Sequence, residues 1–241
     1  MTDTVTDPVT AARRLRWGAA AWILGVSQYL ACQLIAANRW STPYSWKNNF
    51  ISDLGNTACG PFSVPHGEPA YVCSPAHTLM NVSFVLAGVL TAVGALLLRP
   101  LWRHSRAVRA GVVLWVIAGF GKIIVGLVPE NTNINLHLLG AFNLPLGSIA
   151  ILLLSRASGD LPKPWRIAGV LLACVGLFGT VLSIAGQYHG PDAYLGIGVG
   201  GSERLAGYPA NLWCLLIGLL ALTRAAAPHG ATDLGAQAMR R

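Results

Sequence analysis

The 241-residue chain is predicted to be an all-α integral membrane protein, a six-transmembrane-helix bundle with a structured first extracytoplasmic loop, and three observations predict it. Hydrophobic residues make up 54% and charged residues 11% of the sequence, with a mean hydropathy of +0.53, which is too apolar for a domain surrounded by water. A hydrocarbon core of about 30 Å needs about 20 apolar residues per helix, and such runs recur six times. They lie at 17–37, 76–98, 110–128, 135–155, 166–187 and 204–223, each flanked by Arg, Pro or Asn. Finally, the formal charge of +8 is sorted by loop, as membrane topology requires.

That sorting predicts orientation. With the N-terminus inside, thirteen of the seventeen basic residues fall in the cytoplasm, among them Arg13, Arg14, Arg16, Arg99, Arg103, Arg106, Arg109, Arg156, Lys163, Arg166 and Arg224. Arg39, Lys47, Lys122 and Arg204 remain on the outer side. Translocating short basic loops against the membrane potential is disfavoured, so the expected protein is a multi-pass plasma-membrane protein with both termini cytoplasmic. The same reasoning excludes a nucleic-acid binder, because the bases follow topology. The expected organisation is a cytoplasmic tail over 1–16, a membrane domain over 17–223 and a disordered cytoplasmic tail over 224–241.

The first outer loop, 38–75, is too long for a simple connection and is expected to form a lid. Trp46, Phe50 and Leu54 recur at i, i+4 and i+8, which predicts a short helix over 44–54 lying flat on the outer mouth and stopped by Gly55. Pro61, Pro65 and Pro69 follow, with Cys59 and Cys73 close enough to close a small ring in an oxidising compartment. A Cys59–Cys73 disulfide is expected. Cys32, Cys174 and Cys214 lie within spans and read as small apolar residues.

At the start of span two, Ser74, His77 and Asn81 share one helical face leading from the mouth into the bilayer. His77 suits proton transfer, metal ligation or a plain hydrogen bond to a loop carbonyl. Span three carries Lys122 well inside, about two turns below Glu130, and a buried lysine needs an anion or a route to the surface. Glu130 and Asp53 are its expected partners. His137 follows the turn after Glu130, and Pro145 in span four and Pro209 in span six are expected kinks. Pairs of small residues four apart, such as Gly88 with Ala92 and Gly176 with Thr180, predict close helix packing. The run Gly196-Ile197-Gly198-Val199-Gly200-Gly201-Ser202 predicts an N-cap at Ser202, with Arg204 in the first turn and Glu203 beside it. Such a terminus can hold a phosphate or carboxylate, although no strand precedes it and it is no dinucleotide fingerprint.

The segment Asn49-Phe50-Ile51-Ser52-Asp53-Leu54-Gly55 resembles the signature of a bacterial multi-span family known as domain of unknown function 998. Val128-Pro129-Glu130 with His137, and Gly200-Gly201-Ser202-Glu203-Arg204-Leu205 with Trp213, fit the same family. The resemblance covers the whole hydrophobic chain. It implies a six-helix membrane bundle and no particular activity.

The expected site is therefore a partly buried polar cluster at the outer mouth, covered by the lid. His77, His137, Asp53 and Glu130 are its candidate acid–base groups, and Lys122, Arg204, Asn81 and Glu203 its candidate ligand-binding groups. A lipid-like or isoprenoid-like amphiphile entering from the bilayer is the favoured partner, bound or transformed there. His77, His137 and an acid offer ligands for a metal, and the sequence leaves the cofactor open. The competing class is a non-enzymatic assembly subunit, with lid-locking ion pairs and small-residue faces for a partner membrane protein. A small-solute transporter ranks third, since no internal repeat is evident.

Overall fold

The computed structural model describes residues 8–64, 69–157 and 161–226. Residues 1–7, 65–68, 158–160 and 227–241 lie outside the described residues, and the remainder of the predicted N-terminal tail, from Pro8, belongs to the first helix. Seven helices and a hairpin follow in order: α1 Pro8–Asn38, β1 Gly60–Phe62, β2 Ala70–Val72, α2 His77–Leu97, α3 Arg106–Leu127, α4 Ile134–Ala141, α5 Asn143–Ala157, α6 Lys163–His189 and α7 Gly198–Ala226. Among the described residues six segments are long and apolar enough to cross a membrane, with α4 and α5 together making the fourth.

The spans pack in chain order and close on themselves. α1 lies against α2, α2 against α3, α3 against α5, α5 against α6, α6 against α7, and α7 returns to α1. One core, built on Trp22, Trp115, Trp213, Ile151, Leu154 and Ile217, fills the half of the bundle away from the first loop. A second, of Tyr29, Ile51, Leu54, Met80, Phe84 and Val125, fills the loop end. Large side chains on the perimeter, including Leu24, Val82, Phe120, Leu171 and Val181, stay exposed, as lipid-facing residues do.

Two expectations about the elements change, and the kink expected at Pro145 takes the form of a break. The helix expected over 44–54 is a turn followed by a 3-10 helix, Ser52–Gly55. Asn49 Oδ1 accepts from the Ser45 N–H at 3.0 Å, and Asp53 Oδ2 from the Phe50 N–H at 2.8 Å. Such short polar side chains give backbone donors an alternative to helical bonding. Span six begins at Gly198, so Ser202 is its fifth residue rather than its cap, and its hydroxyl bonds back to the Val199 carbonyl at 2.8 Å. Span four breaks after Ala141, four residues before Pro145, whose ring has no N–H to offer that carbonyl. Pro209, by contrast, sits inside a continuous α7.

The break has a consequence for packing. α4 rests chiefly on α3, where a Cβ added at Gly140 would stand 2.8 Å from the Gly121 carbonyl. The lower piece, α5, carries the contacts to α6 and α7.

The hairpin pairs Gly60 with Val72 and Phe62 with Ala70, and the Cys59–Cys73 disulfide closes its base. A ring of about 15 residues contributes on the order of 3 kcal/mol by restricting the open loop. Alkylation followed by intact-mass measurement is expected to tag Cys59 and Cys73 only after reduction. Two reactive loop thiols in the native, unreduced protein would contradict the bond.

Candidate functional site

Residues 44–56 form a strap across one end of the bundle. Leu54 is fully buried and Ile51 nearly so, both set into the loop-end core. The strap needs polar anchors because most of its backbone is not in regular structure and must still find partners.

Arg204 supplies the largest anchor. Its Nη1 donates to the carbonyls of Trp46 at 3.0 Å, Asn49 at 2.9 Å and Gly200 at 2.8 Å, while Nη2 donates to the Tyr44 hydroxyl. The guanidinium also lies over the Trp46 ring, 4.8 Å from its centroid. Burial pushes the Tyr44 phenol up despite the adjacent Arg204, so it stays neutral and donates to the Phe50 carbonyl at 2.7 Å. The glycine run before Arg204 gives this backbone room. Gly198 has φ +73°, and a Cβ there would meet the Lys47 carbonyl at 2.5 Å. The N–H groups of Gly200 and Gly201 point at that same carbonyl, at 2.8 and 3.3 Å. The helix terminus that resembled an anion site thus holds strap carbonyls. Glu203 accepts the Ile51 N–H rather than pairing tightly with its neighbour.

The strap is tied on its other side too. Ser74 Oγ donates to the Leu54 carbonyl at 2.7 Å, and Asn81 Nδ2 to the Gly55 carbonyl at 2.8 Å. Ser52 Oγ donates to Glu130 Oε2 at 2.8 Å. Glu130 and Asp53 are 2% and 3% exposed, and their carboxyl groups are within hydrogen-bonding reach of each other. Burial, then the adjacent Asp53, holds Glu130 well above the usual carboxylate range; burial also raises Asp53.

Beneath the strap lies a cavity of about 50 Å³ on the bundle axis. Its polar wall consists of Ser52, Lys122, His137, Asn143, Glu203 and Asn211, and Tyr29, Phe84, Trp115 and Val125 add aromatic and apolar surface. Lys122 corrects an expectation. Its amine reaches Asn211 Oδ1 at 3.5 Å and the face of Tyr29, 5.8 Å from the centroid, instead of Glu130 or Asp53. Glu130 turns to the strap, where Ser52 and Asp53 engage it, so the two residues predicted to pair belong to different layers. His137 Nδ1 lies 2.7 Å from the Val128 carbonyl. A carbonyl can only accept, so Nδ1 carries the hydrogen and Nε2 is the basic nitrogen of the neutral ring.

The predicted residues therefore separate into two groups. Lys122, His137 and Glu203 share the cavity, whereas Asp53, Glu130, Asn81 and Arg204 hold the strap. His77 stands apart from the cavity wall, its Nδ1 bonded to the Ser74 carbonyl at 2.9 Å. Among the described residues no group of three or more His, Cys, Asp or Glu is gathered as a metal centre requires. Asn143 and Asn211 were not singled out from the sequence, and Tyr44 read there only as an interfacial aromatic. The two asparagines carried a usable signal, since an amide inside an apolar run normally faces protein or a polar cavity.

A family model described as "Protein of unknown function (DUF998)" matches residues 23–220, from within α1 to within α7. No curated protein and no solved structure matches the chain. With strap, cavity and all six spans inside or overlapping the match, the chain belongs to the DUF998 family of proteins of unknown function.

Proposed function

We propose that this is a plasma-membrane protein whose strap end faces outward and whose termini are cytoplasmic, and that its axial cavity receives the anionic head group of a lipid-like amphiphile. The observation that carries this reading is Lys122, whose close partners are the neutral Asn211 and the Tyr29 ring. A lysine at the centre of a span costs roughly 2.5–3.5 kcal/mol on the insertion scale, Lys122 nearer the end bears part of that cost, and an anion from a ligand would offset it. The cavity's size limits what enters. A water needs about 10–15 Å³ of such space, so about 50 Å³ admits a few waters or a small carboxylate or phosphate group, but no acyl chain. The chain of the amphiphile would lie between helices, beside α4, which leans on α3. At Gly207 on the facing side, an added Cβ would meet only Leu144. His137 Nε2 offers a base for any proton transfer at the head group.

Lys122→Met is the test. Purified in mild detergent, the wild-type protein is expected to retain anionic lipid in native mass spectra, and the variant to lose at least tenfold of it while keeping its helical content. Lys122→Arg should restore retention. Equal retention by wild type and Lys122→Met would overturn the reading.

A second reading rests on a different observation. Arg204, Glu203, Asp53 and Glu130 direct polar atoms at the strap, as in a protein built to present a fixed surface to a partner membrane protein. Unchanged lipid retention in Lys122→Met, combined with co-purification of a stoichiometric membrane partner, would favour it.

A further inference from the structure

A second, larger cavity of about 400 Å³ opens between the strap, the hairpin and the α6–α7 connection. Lys47, Phe50, Asp53, Val72, Tyr194 and Gly198 are in its wall. Asp53 therefore borders this pocket, while Ser52, the preceding residue, borders the axial cavity with Lys122 and His137. Glu130 joins the two. Its Oε2 takes the Ser52 hydroxyl at 2.8 Å, and its fully buried Oε1 has no protein hydrogen to accept. The neighbouring carboxyl of Asp53 is the group in reach, and Asp53 already accepts from Phe50 N–H and Asn49 Nδ2. Two buried carboxyl groups in contact cannot both be ionised cheaply, and a shared proton removes the repulsion.

We propose that Asp53 and Glu130 form a binding site for one exchangeable proton, and that this site links the strap-side pocket to the Lys122 cavity. Inward transfer balances as follows. A hydronium in the pocket releases a proton to an Asp53 oxygen and becomes water; the new O–H bond is passed to Glu130. The Ser52 hydroxyl first turns its hydrogen from Glu130 to a water in the axial cavity; Glu130 then gives its proton to the Ser52 oxygen as that hydrogen leaves to the water, so the new hydroxyl hydrogen again lies on Glu130. No electron moves, and each group returns to its starting form. The charged and titratable groups acting on the pair are Tyr44 of the strap and Glu203 and Arg204 of α7. Arg204 opposes proton binding, and Glu203 favours it.

The sign of the pH dependence follows. Burial raises both carboxyl groups in the folded state, so strap closure is fully supported at low pH and weakens as pH rises through the raised value.

The test is infrared difference spectroscopy on the full chain in lipid nanodiscs. At neutral pH a protonated-carboxyl C=O band is expected that shifts in D2O and declines as pH is raised. Glu130→Gln, which keeps an acceptor for Ser52, should remove the band, and Glu203→Gln should leave it. Asp53→Asn should move its decline to lower pH by offering Glu130 an amide donor. Absence of the band at neutral pH, or its survival in Glu130→Gln, would overturn the site. The link to the cavity is read separately. The sequence has three lysines, 47, 122 and 163, so the Lys122 15Nζ resonance can be assigned by substitution. It is expected to move with the band in wild type and to stop doing so in Ser52→Ala. Continued coupling in that variant would refute the relay through Ser52.

Discussion

Arg204→Met is expected to release the strap. The side chain makes four hydrogen bonds, three to carbonyls of residues 46, 49 and 200 and one to Tyr44, and it is 8% exposed. A hydrogen bond to a charged group contributes about 1.5–3 kcal/mol, and stranded buried carbonyls add a desolvation cost, though the contributions do not sum. A net loss of about 3 kcal/mol corresponds to roughly a hundredfold more frequent opening. Lys47 sits in the strap, so the rate of tryptic cleavage after it reports that opening in folded protein. Arg204→Lys should lie between, since an ammonium keeps the charge but cannot span the same fork of acceptors. A cleavage rate unchanged in Arg204→Met would mean that the hydrophobic seat of Ile51 and Leu54 holds the strap by itself.

Gly119→Val is expected to have the largest effect on the bundle. Spans two and three touch backbone to backbone, so that a Cβ at Gly119 would stand 2.7 Å from the Gly88 carbonyl and 2.9 Å from the Ala92 Cβ. The converse Cβ, at Gly88, would stand 2.5 Å from the Gly119 carbonyl. A flexible side chain could turn aside, but a helix backbone cannot, and the axes must separate. Overpacking typically costs about 1–3 kcal/mol, and here the lost contact between two spans adds to it. Denaturation in mixed micelles should show a loss of more than about 3 kcal/mol, or failure to accumulate in the membrane. Gly207→Ala is the control. It meets only Leu144 Cδ2 at 3.1 Å, so its stability should change by less than about 1 kcal/mol. Similar losses in both variants would show that any added side-chain atom is resisted throughout the bundle, rather than that the backbone contact of spans two and three is special.

These two sites differ in how far neighbouring residues disclose them. Gly88 and Ala92 are four apart on one helix, and that spacing alone announces a face made for close approach. The six apolar runs, the break near Pro145 and the pairing of Cys59 with Cys73 were legible for the same reason. Each depends on residues close in the chain, on periodicity, on a missing N–H or on a short ring, and such requirements act before any tertiary partner is chosen. Even the failed 44–54 helix was written locally, in Asn49 and Asp53, whose bonds to nearby N–H groups compete with the apolar i, i+4 pattern.

Only the tertiary structure decided the partners of the charged groups. Lys122 is eight residues from Glu130 and 89 from Asn211, yet it meets Asn211, because ring closure sets α3 and α7 on opposite sides of one axial cavity while the strap draws Glu130 upward to Ser52, 78 residues away. The glycine run before Arg204 looked like a cradle for an anion and became a seat for the Lys47 carbonyl once the strap lay across it. A carbonyl oxygen and an anion satisfy the same N–H donors. Which of them arrives depends on how distant segments pack, and local pattern does not encode that.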